Sequence, residues 1–294
     1  GLFIMSSALW GTVLGAMFGG IPLDRYGRKK SLIWIGVLYL VSAIGSGLAW
    51  SPVSFAVFRF IGGLGVGASS VAAPTYISEI APSRYRGRLV ALYQFLIVLG
   101  ILVAFFSNWV VDKTFDASTA WRWMVGLEAV PAALYLLFVV GIPESPRWLA
   151  VYKKDFDGAK AILQKLDANN DAAALVEELK GHDAQKAGEN IFTAKYTKPL
   201  LLAFLVAFFN QASGINFIIY YAPRVFAETG MDASSSLMAT IGIGVANLIF
   251  TMAGVALIDK LGRKTLMIIG SIGYIVSLFL VSSAFYNNAF NGVE

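Results

Sequence analysis

Leu200-Leu201-Leu202-Ala203-Phe204-Leu205-Val206-Ala207-Phe208-Phe209-Asn210-Gln211-Ala212-Ser213-Gly214-Ile215-Asn216-Phe217-Ile218-Ile219-Tyr220-Tyr221-Ala222-Pro223 reads as a membrane span with a polar middle. About twenty mainly apolar residues cross a bilayer, and polar groups inside such a span are costly unless they meet each other, water or a ligand. At 100° per residue Asn210, Ser213, Asn216, Tyr220 and Tyr221 fall within roughly 140° of one helix face. Gln211 falls outside that arc. Gly214 can loosen the helix and bring Gln211 round, because irregular backbone at membrane depth is tolerated where it lines a cavity. Neutral amides and phenols offer the donors and acceptors that an uncharged, polyhydroxylated solute needs. The plainer alternative is that they hold helices together, at about 1 kcal/mol or less each. The number of such groups on one span, with an embedded Gly and a terminal Pro, favours a solute pathway.

The rest of the chain is of the same kind. Over 294 residues it is 57% hydrophobic and 14% charged, with a mean hydropathy of +0.68, which exceeds a soluble domain and implies a polytopic membrane protein. There is no Cys, so a disulfide framework, a thiolate metal site and a Cys nucleophile are excluded. The net charge of +5 does not indicate nucleic acid, because the basic residues follow membrane topology.

Eight spans are expected, at about 1–23, 31–49, 53–79, 89–111, 121–142, 199–226, 235–258 and 265–285. Arg25, Arg28, Lys29 and Lys30 follow the first; the next connection, around Trp50-Ser51-Pro52, has no base. Arg84, Arg86 and Arg88 follow the third, and Lys113 alone follows the fourth. The long fifth connection is rich in Lys, 231–236 has no base, and Lys260, Arg263 and Lys264 follow the seventh. Odd connections are therefore cytoplasmic, and both ends of the chain are expected outside the cell. The chain begins with Gly1, so the first span is read without its upstream context. Within 143–197, Phe156 to Leu166 and Ala172 to Leu179 have helical periodicity, with Asp155 and Asp171 as N-caps and Gly181 as a stop. His182, the single histidine, reads as a solvated surface group.

Asp24-Arg25-Tyr26-Gly27-Arg28-Lys29 and Asp259-Lys260-Leu261-Gly262-Arg263-Lys264 share one pattern, each in a tight cytoplasmic turn, as in a structural unit used twice. Gly20 to Lys30 and this second copy are similar to the loop motif of the major facilitator superfamily. Arg59 to Gly67, Pro74 to Pro82 and Arg86 to Leu89 resemble the motif of its sugar porters, and Pro143-Glu144-Ser145-Pro146-Arg147-Trp148-Leu149 resembles the one after the family's sixth span. Asn210 to Tyr221 resembles the seventh-span sugar motif. The chain is thus identified as resembling a sugar porter over essentially its whole length. That implies an all-α polytopic membrane protein with a partial major facilitator fold: eight transmembrane helices plus a short cytoplasmic helical segment. The expected division is an N-terminal bundle at 1–142, a helical linker at 143–197 and a C-terminal bundle at 198–294. Members usually have twelve spans, so these eight correspond to the second through ninth.

By resemblance Gln94, Gln211, Asn216 and Asn247 match positions that hydrogen-bond sugar, while Tyr220 and Tyr221 match aromatics that help close the site. Asn210 stands where many members have Gln, and the shorter side chain bears on which solute is taken. Asp24, Arg28, Glu79, Arg86, Arg88, Glu144 and Arg147, with Asp259 and Arg263 in the second copy, are expected to form a cytoplasmic gate network; exposed ion pairs alone would contribute little. Gly63 and Gly67, four apart, suit close helix packing. Arg59 and Glu128 read as buried intramembrane charges. In proton-coupled porters an Arg and a Glu at these positions accompany an acidic first-span residue that carries the proton; alternatively they only pair with each other.

No Gly-x4-Gly-Lys-Ser/Thr motif, nor any catalytic constellation, supports an ATP-driven pump or a membrane enzyme. The expectation is a secondary active monosaccharide carrier working with protons, the alternatives being a facilitative uniporter or a transporter-like sugar sensor. No cofactor, metal, nucleic acid or obligate protein partner is expected; the partners are a monosaccharide, protons and the lipid bilayer. With short outer loops and no Asn-x-Ser/Thr sequon, the expected location is a bacterial inner membrane.

Overall fold

Apolar stretches broken by Gly, Pro and charged turns give a chain of helices. The structure, a computed structural model, describes residues 2–82, 86–166, 176–177 and 193–286, with the side chains of 2–5, 86, 90, 194, 195, 259, 263 and 285 outside that description. In order come α1 (Leu2–Phe18), α2 (Gly20–Tyr26), α3 (Arg28–Gly47), α4 (Pro52–Ile80), α5 (Arg86–Thr114), α6 (Ala117–Gly126) and α7 (Ala129–Gly141). Then follow α8 (Pro146–Trp148), a π-helical turn (Leu149–Lys153), α9 (Phe156–Leu166), α10 (Ala194–Ala212), α11 (Ile215–Ala227), α12 (Ala233–Leu261) and α13 (Arg263–Tyr286). Among the described residues seven helices are long and apolar enough to cross a membrane, and an eighth span arises if the pair Ser6–Phe18 and Gly20–Tyr26, bent by 46°, counts as one. These coincide with the eight expected spans. Besides that first pair two more are interrupted, α6–α7 at Leu127–Glu128 and α10–α11 at Ser213–Gly214.

Local chemistry sets the boundaries. Ser51 and Ser54 form a reciprocal capping box with Pro52 at the first turn of α4. Asp232 accepts from the Ser234 and Ser235 N–H groups at 3.1 Å each to open α12, and the Ser235 bonds hold its carboxyl below the usual range. Asp155 accepts from Gly158 N–H at 2.9 Å to open α9, as expected. Of the expected helix Ala172 to Leu179 only 176–177 is described, and it is helical; Asp171, Gly181 and His182 lie outside the described residues.

Contacts group the chain into two compact units: Gly1–Tyr93 with Phe115–Gly188, and Gln94–Thr114 with Glu189–Glu294. In unit 1, α1 and α4 pack backbone to backbone, for a Cβ on Gly63 would meet the Ala8 carbonyl and one on Gly67 the Thr12 carbonyl. Leu23, Leu32, Ile35, Ala72 and Val139 form its buried centre, with Tyr39, Tyr76 and Tyr135 packed against it. A second cluster of Trp148, Leu149, Ala150, Ala159 and Val176 fastens α9 to the segment after α7. Arg122 Nη1 donates to the Gly47 and Ala49 carbonyls at 3.1 and 2.9 Å, satisfying the C-terminal end of α3. In unit 2, Gly244 of α12 lets Leu102 and Phe105 of α5 approach closely.

Candidate functional site

Unit 1 gathers charge at the turn between α2 and α3. Gly27 there has φ +98°, and a Cβ would meet the Glu144 carboxylate, so only Gly suits the position. Glu144 Oε1 accepts the N–H groups of Arg28, Lys29 and Ser145 at 2.8, 2.9 and 2.9 Å. A carboxylate thus closes the positive end of α3. Arg28 donates through Nε and Nη2 to both Glu79 oxygens at 2.9 Å, and its Nη1 reaches the Leu23 carbonyl at 3.2 Å and Asp24 Oδ1 at 3.2 Å.

The Arg28 and Glu79 side chains are only 6% and 5% exposed, so this is a buried bidentate pair rather than a surface one. Ser145 Oγ donates to Glu79 at 2.6 Å, Trp148 Nε1 donates to the Asp24 carbonyl at 2.7 Å, and the Tyr152 ring lies 5.4 Å from the Arg28 guanidinium. Burial, and then the charge of Asp24, push the Tyr152 phenol up. Of the expected gate residues the structure brings Asp24, Arg28, Glu79 and Glu144 together. Arg88 and Arg147 are exposed and form no ion pair among the described residues. The side chains of Arg86, Asp259 and Arg263 lie outside the described residues.

Ser145, Trp148 and Tyr152 were not anticipated as parts of this cluster. The first two lie in the quoted Pro143–Leu149 motif, where the charges drew attention; Tyr152 carries no local signal.

Arg59 and Glu128 do meet, with Arg59 Nη1 3.4 Å from each Glu128 oxygen. They are not buried as expected: their side chains are 33% and 55% exposed. Glu128 immediately precedes α7 at the break in its span.

Unit 2 carries the neutral polar groups. Gly214 adopts φ +80° and breaks the span into α10 and α11, and across that break Asn216 Nδ2 donates to Gln211 Oε1 at 2.6 Å. Gln211, off the polar arc of a straight helix, is thereby joined to it. The two amides keep further donors and acceptors. Ser213 Oγ donates to the Asn210 carbonyl at 2.6 Å, Phe217 stacks on Tyr221 with centroids 5.3 Å apart, and Tyr220 is 60% exposed. The side chains of Gln94, Asn210 and Asn247 have no hydrogen-bond partner among the described residues. All seven of these expected sugar-contacting residues belong to unit 2.

An all-helical membrane protein with a broken span and neutral amides at the break has the architecture of a solute carrier. The family described as "Sugar (and other) transporter" matches residues 2–293, and the chain belongs to it. It is therefore an integral membrane protein of a transporter family, not an enzyme. It is 36% identical to the D-xylose-proton symporter of Escherichia coli (strain K12), over 98% of this chain and 63% of that protein. It is likewise 36% identical to the arabinose-proton symporter of Bacillus subtilis (strain 168), over 99% of this chain and 64% of that one. A partially occluded, inward-open structure of the xylose transporter XylE from E. coli superimposes with a TM-score of 0.86 at 35% identity, covering 98% of this chain and 68% of that one. A XylE structure bound to 6-bromo-6-deoxy-D-glucose gives 0.81 at 35% identity, covering 98% and 65%. The fold is thus that of the major facilitator superfamily, and the chain spans less than two thirds of the length of the two symporters, 63% and 64%.

Proposed function

We propose that the whole protein carries a monosaccharide, a hexose or pentose, across a bacterial plasma membrane by alternating access, with proton symport. The observation that carries this reading is the pair of amides, Gln211 and Asn216, joined across the Gly214 break with hydrogen-bonding capacity to spare. A sugar hydroxyl both donates and accepts, so two cross-bonded amides can grip it without a charge that would hold it too long. Gln94, Asn210 and Asn247 supply further donors and acceptors, and Tyr220 and Tyr221 cover the sugar. The names of the xylose and arabinose symporters support the substrate class and the coupling.

Arg59 and Glu128 serve proton coupling in this reading. Asp24, Arg28, Glu79 and Glu144 latch the cytoplasmic side, with Arg86, Arg88, Arg147, Asp259 and Arg263 joining as the carrier changes state. The proposed division remains an N-terminal bundle, a linker at 143–197 and a C-terminal bundle. A second reading, facilitated uniport, is favoured by the Arg59–Glu128 contact itself, since a Glu paired with its Arg has a structural role available.

The test is uptake of labelled glucose, galactose, xylose and arabinose by cells expressing the complete natural product, with and without a protonophore. Accumulation of one sugar that the protonophore abolishes supports symport. Equilibration without accumulation selects uniport. Entry of none of the four, with the protein in the membrane, contradicts the monosaccharide reading and favours the sensor or a carrier of a non-sugar solute.

A further inference from the structure

The Arg28 guanidinium has its edges filled by unit 1. Nε and Nη2 donate to Glu79, and Nη1 donates to the Leu23 carbonyl and pairs with Asp24. What such a planar group has left is its faces, and these stack on aromatic rings. Here the ring is that of Tyr152, its centroid 5.4 Å from the central guanidinium carbon. Arg28 is 5% exposed and Tyr152 is 52% exposed, so a buried cation is capped by a half-open ring.

The backbone that presents this ring is unusual twice over. Tyr152 lies in the π-helical turn Leu149–Lys153, and Lys154, which ends the turn, has φ +58°, the one positive value at a non-Gly residue among the described residues. π-helical turns are rare and frequent at functional sites, and a left-handed Lys carries steric strain that its surroundings must offset. They do so from two sides. On one, the N–H groups of Lys154 and Asp155 both donate to the Leu149 carbonyl, Leu149 and Ala150 are buried in one cluster with Ala159 of α9, and Asp155 caps that helix. On the other, Trp148 Nε1 holds the Asp24 carbonyl at 2.7 Å, and Lys153 Nζ lies 5.8 Å from the Trp148 ring centre. The turn is thus pinned both to α9 and to the end of α2, with Tyr152 between.

We propose that Tyr152 is a positioning residue of the cytoplasmic latch. Its ring covers the guanidinium face and keeps water from it, which strengthens the pairing of Arg28 with Glu79 and Asp24. The π-helical turn makes α9 the element that holds the ring in place, so the docking of α9 acts on Arg28 without touching its acidic partners. This rests on the reading of Asp24, Arg28, Glu79 and Glu144 as a latch and adds to it the part that ties the linker to the cation.

The experiment compares the full-length carrier with its Tyr152→Leu, Tyr152→Phe and Asp24→Asn variants. Leu keeps bulk without a π-face, while Phe keeps the ring. One readout is hydrogen–deuterium exchange at the Arg28 and Lys29 N–H groups, which needs no sugar. The other is turnover per folded carrier, and KM, with whichever of labelled glucose, galactose, xylose and arabinose is carried. Tyr152→Leu should speed the exchange and lower turnover, each about threefold, with KM unchanged and the melting temperature within about 2 °C of the parent. Tyr152→Phe should restore both. Exchange and turnover unchanged in Tyr152→Leu, or lost equally in the Leu and Phe variants, overturns the proposal. If Asp24→Asn slows turnover and Tyr152→Leu does not, the role of Tyr152 falls and the latch stands. If neither slows it, the latch reading itself fails, and the proposal with it.

Discussion

Arg28 in unit 1 and Gln211 in unit 2 meet the same difficulty, a polar side chain at a helix turn of a membrane protein, in opposite ways. Arg28 is 5% exposed and sends its guanidinium to Glu79, Asp24 and the Leu23 carbonyl. Gln211 is exposed and joined to Asn216, an amide with spare bonds of its own. A group whose partners all come from its own unit holds a shape, while a group with bonds left over is available to a ligand. The two regions should accordingly fail differently when cut.

The largest effect is expected at Glu79. Glu79→Ala strands a buried guanidinium at a cost of about 3–5 kcal/mol, so the full-length carrier should be nearly lost from the monodisperse peak in fluorescence-detected size exclusion. Gly214→Ala comes next. No neighbour would meet the added Cβ, but a non-Gly residue at φ +80° costs about 1–2 kcal/mol, so the melting temperature should drop by several degrees while the KM for sugar rises. Asn216→Ala should leave the melting temperature nearly unchanged and raise the sugar KM about tenfold, the worth of roughly 1.4 kcal/mol of hydrogen bonding. Smallest of all is Arg147→Gln, where an exposed cation with no ion pair among the described residues should change stability by less than about 0.5 kcal/mol. A large loss at Arg147 would blur the contrast with Arg28; a large stability loss at Asn216 would break it.

The spans were legible because hydrophobicity at bilayer length is a strong signal, and Gly214 was legible as a place where a helix can open. That opening joins Gln211 to Asn216, which no straight-helix projection yields: one αL residue redirects the chain. Glu144 read as a charge at a span end. Its service to the N–H groups of Arg28 and Lys29 depends on contacts more than a hundred residues apart in sequence. Tyr152 and Trp148 were missed for that same reason. Arg88 and Arg147 lie in motifs of their own, as Arg28 does, yet they are exposed, since a motif fixes residue type and not orientation. Arg59 and Glu128 were expected to be buried from their depth in the sequence, but depth along a span does not say which face a side chain occupies.

The most direct test of the account is equilibrium binding of the transported sugar, labelled, to the purified full-length carrier and to its Gln211→Ala/Asn216→Ala double variant, with melting curves of both. Affinity at least tenfold weaker in the double variant, at a melting temperature close to that of the parent, is the predicted result. Unchanged affinity in a folded double variant would contradict the claim that the amides across the Gly214 break hold the sugar.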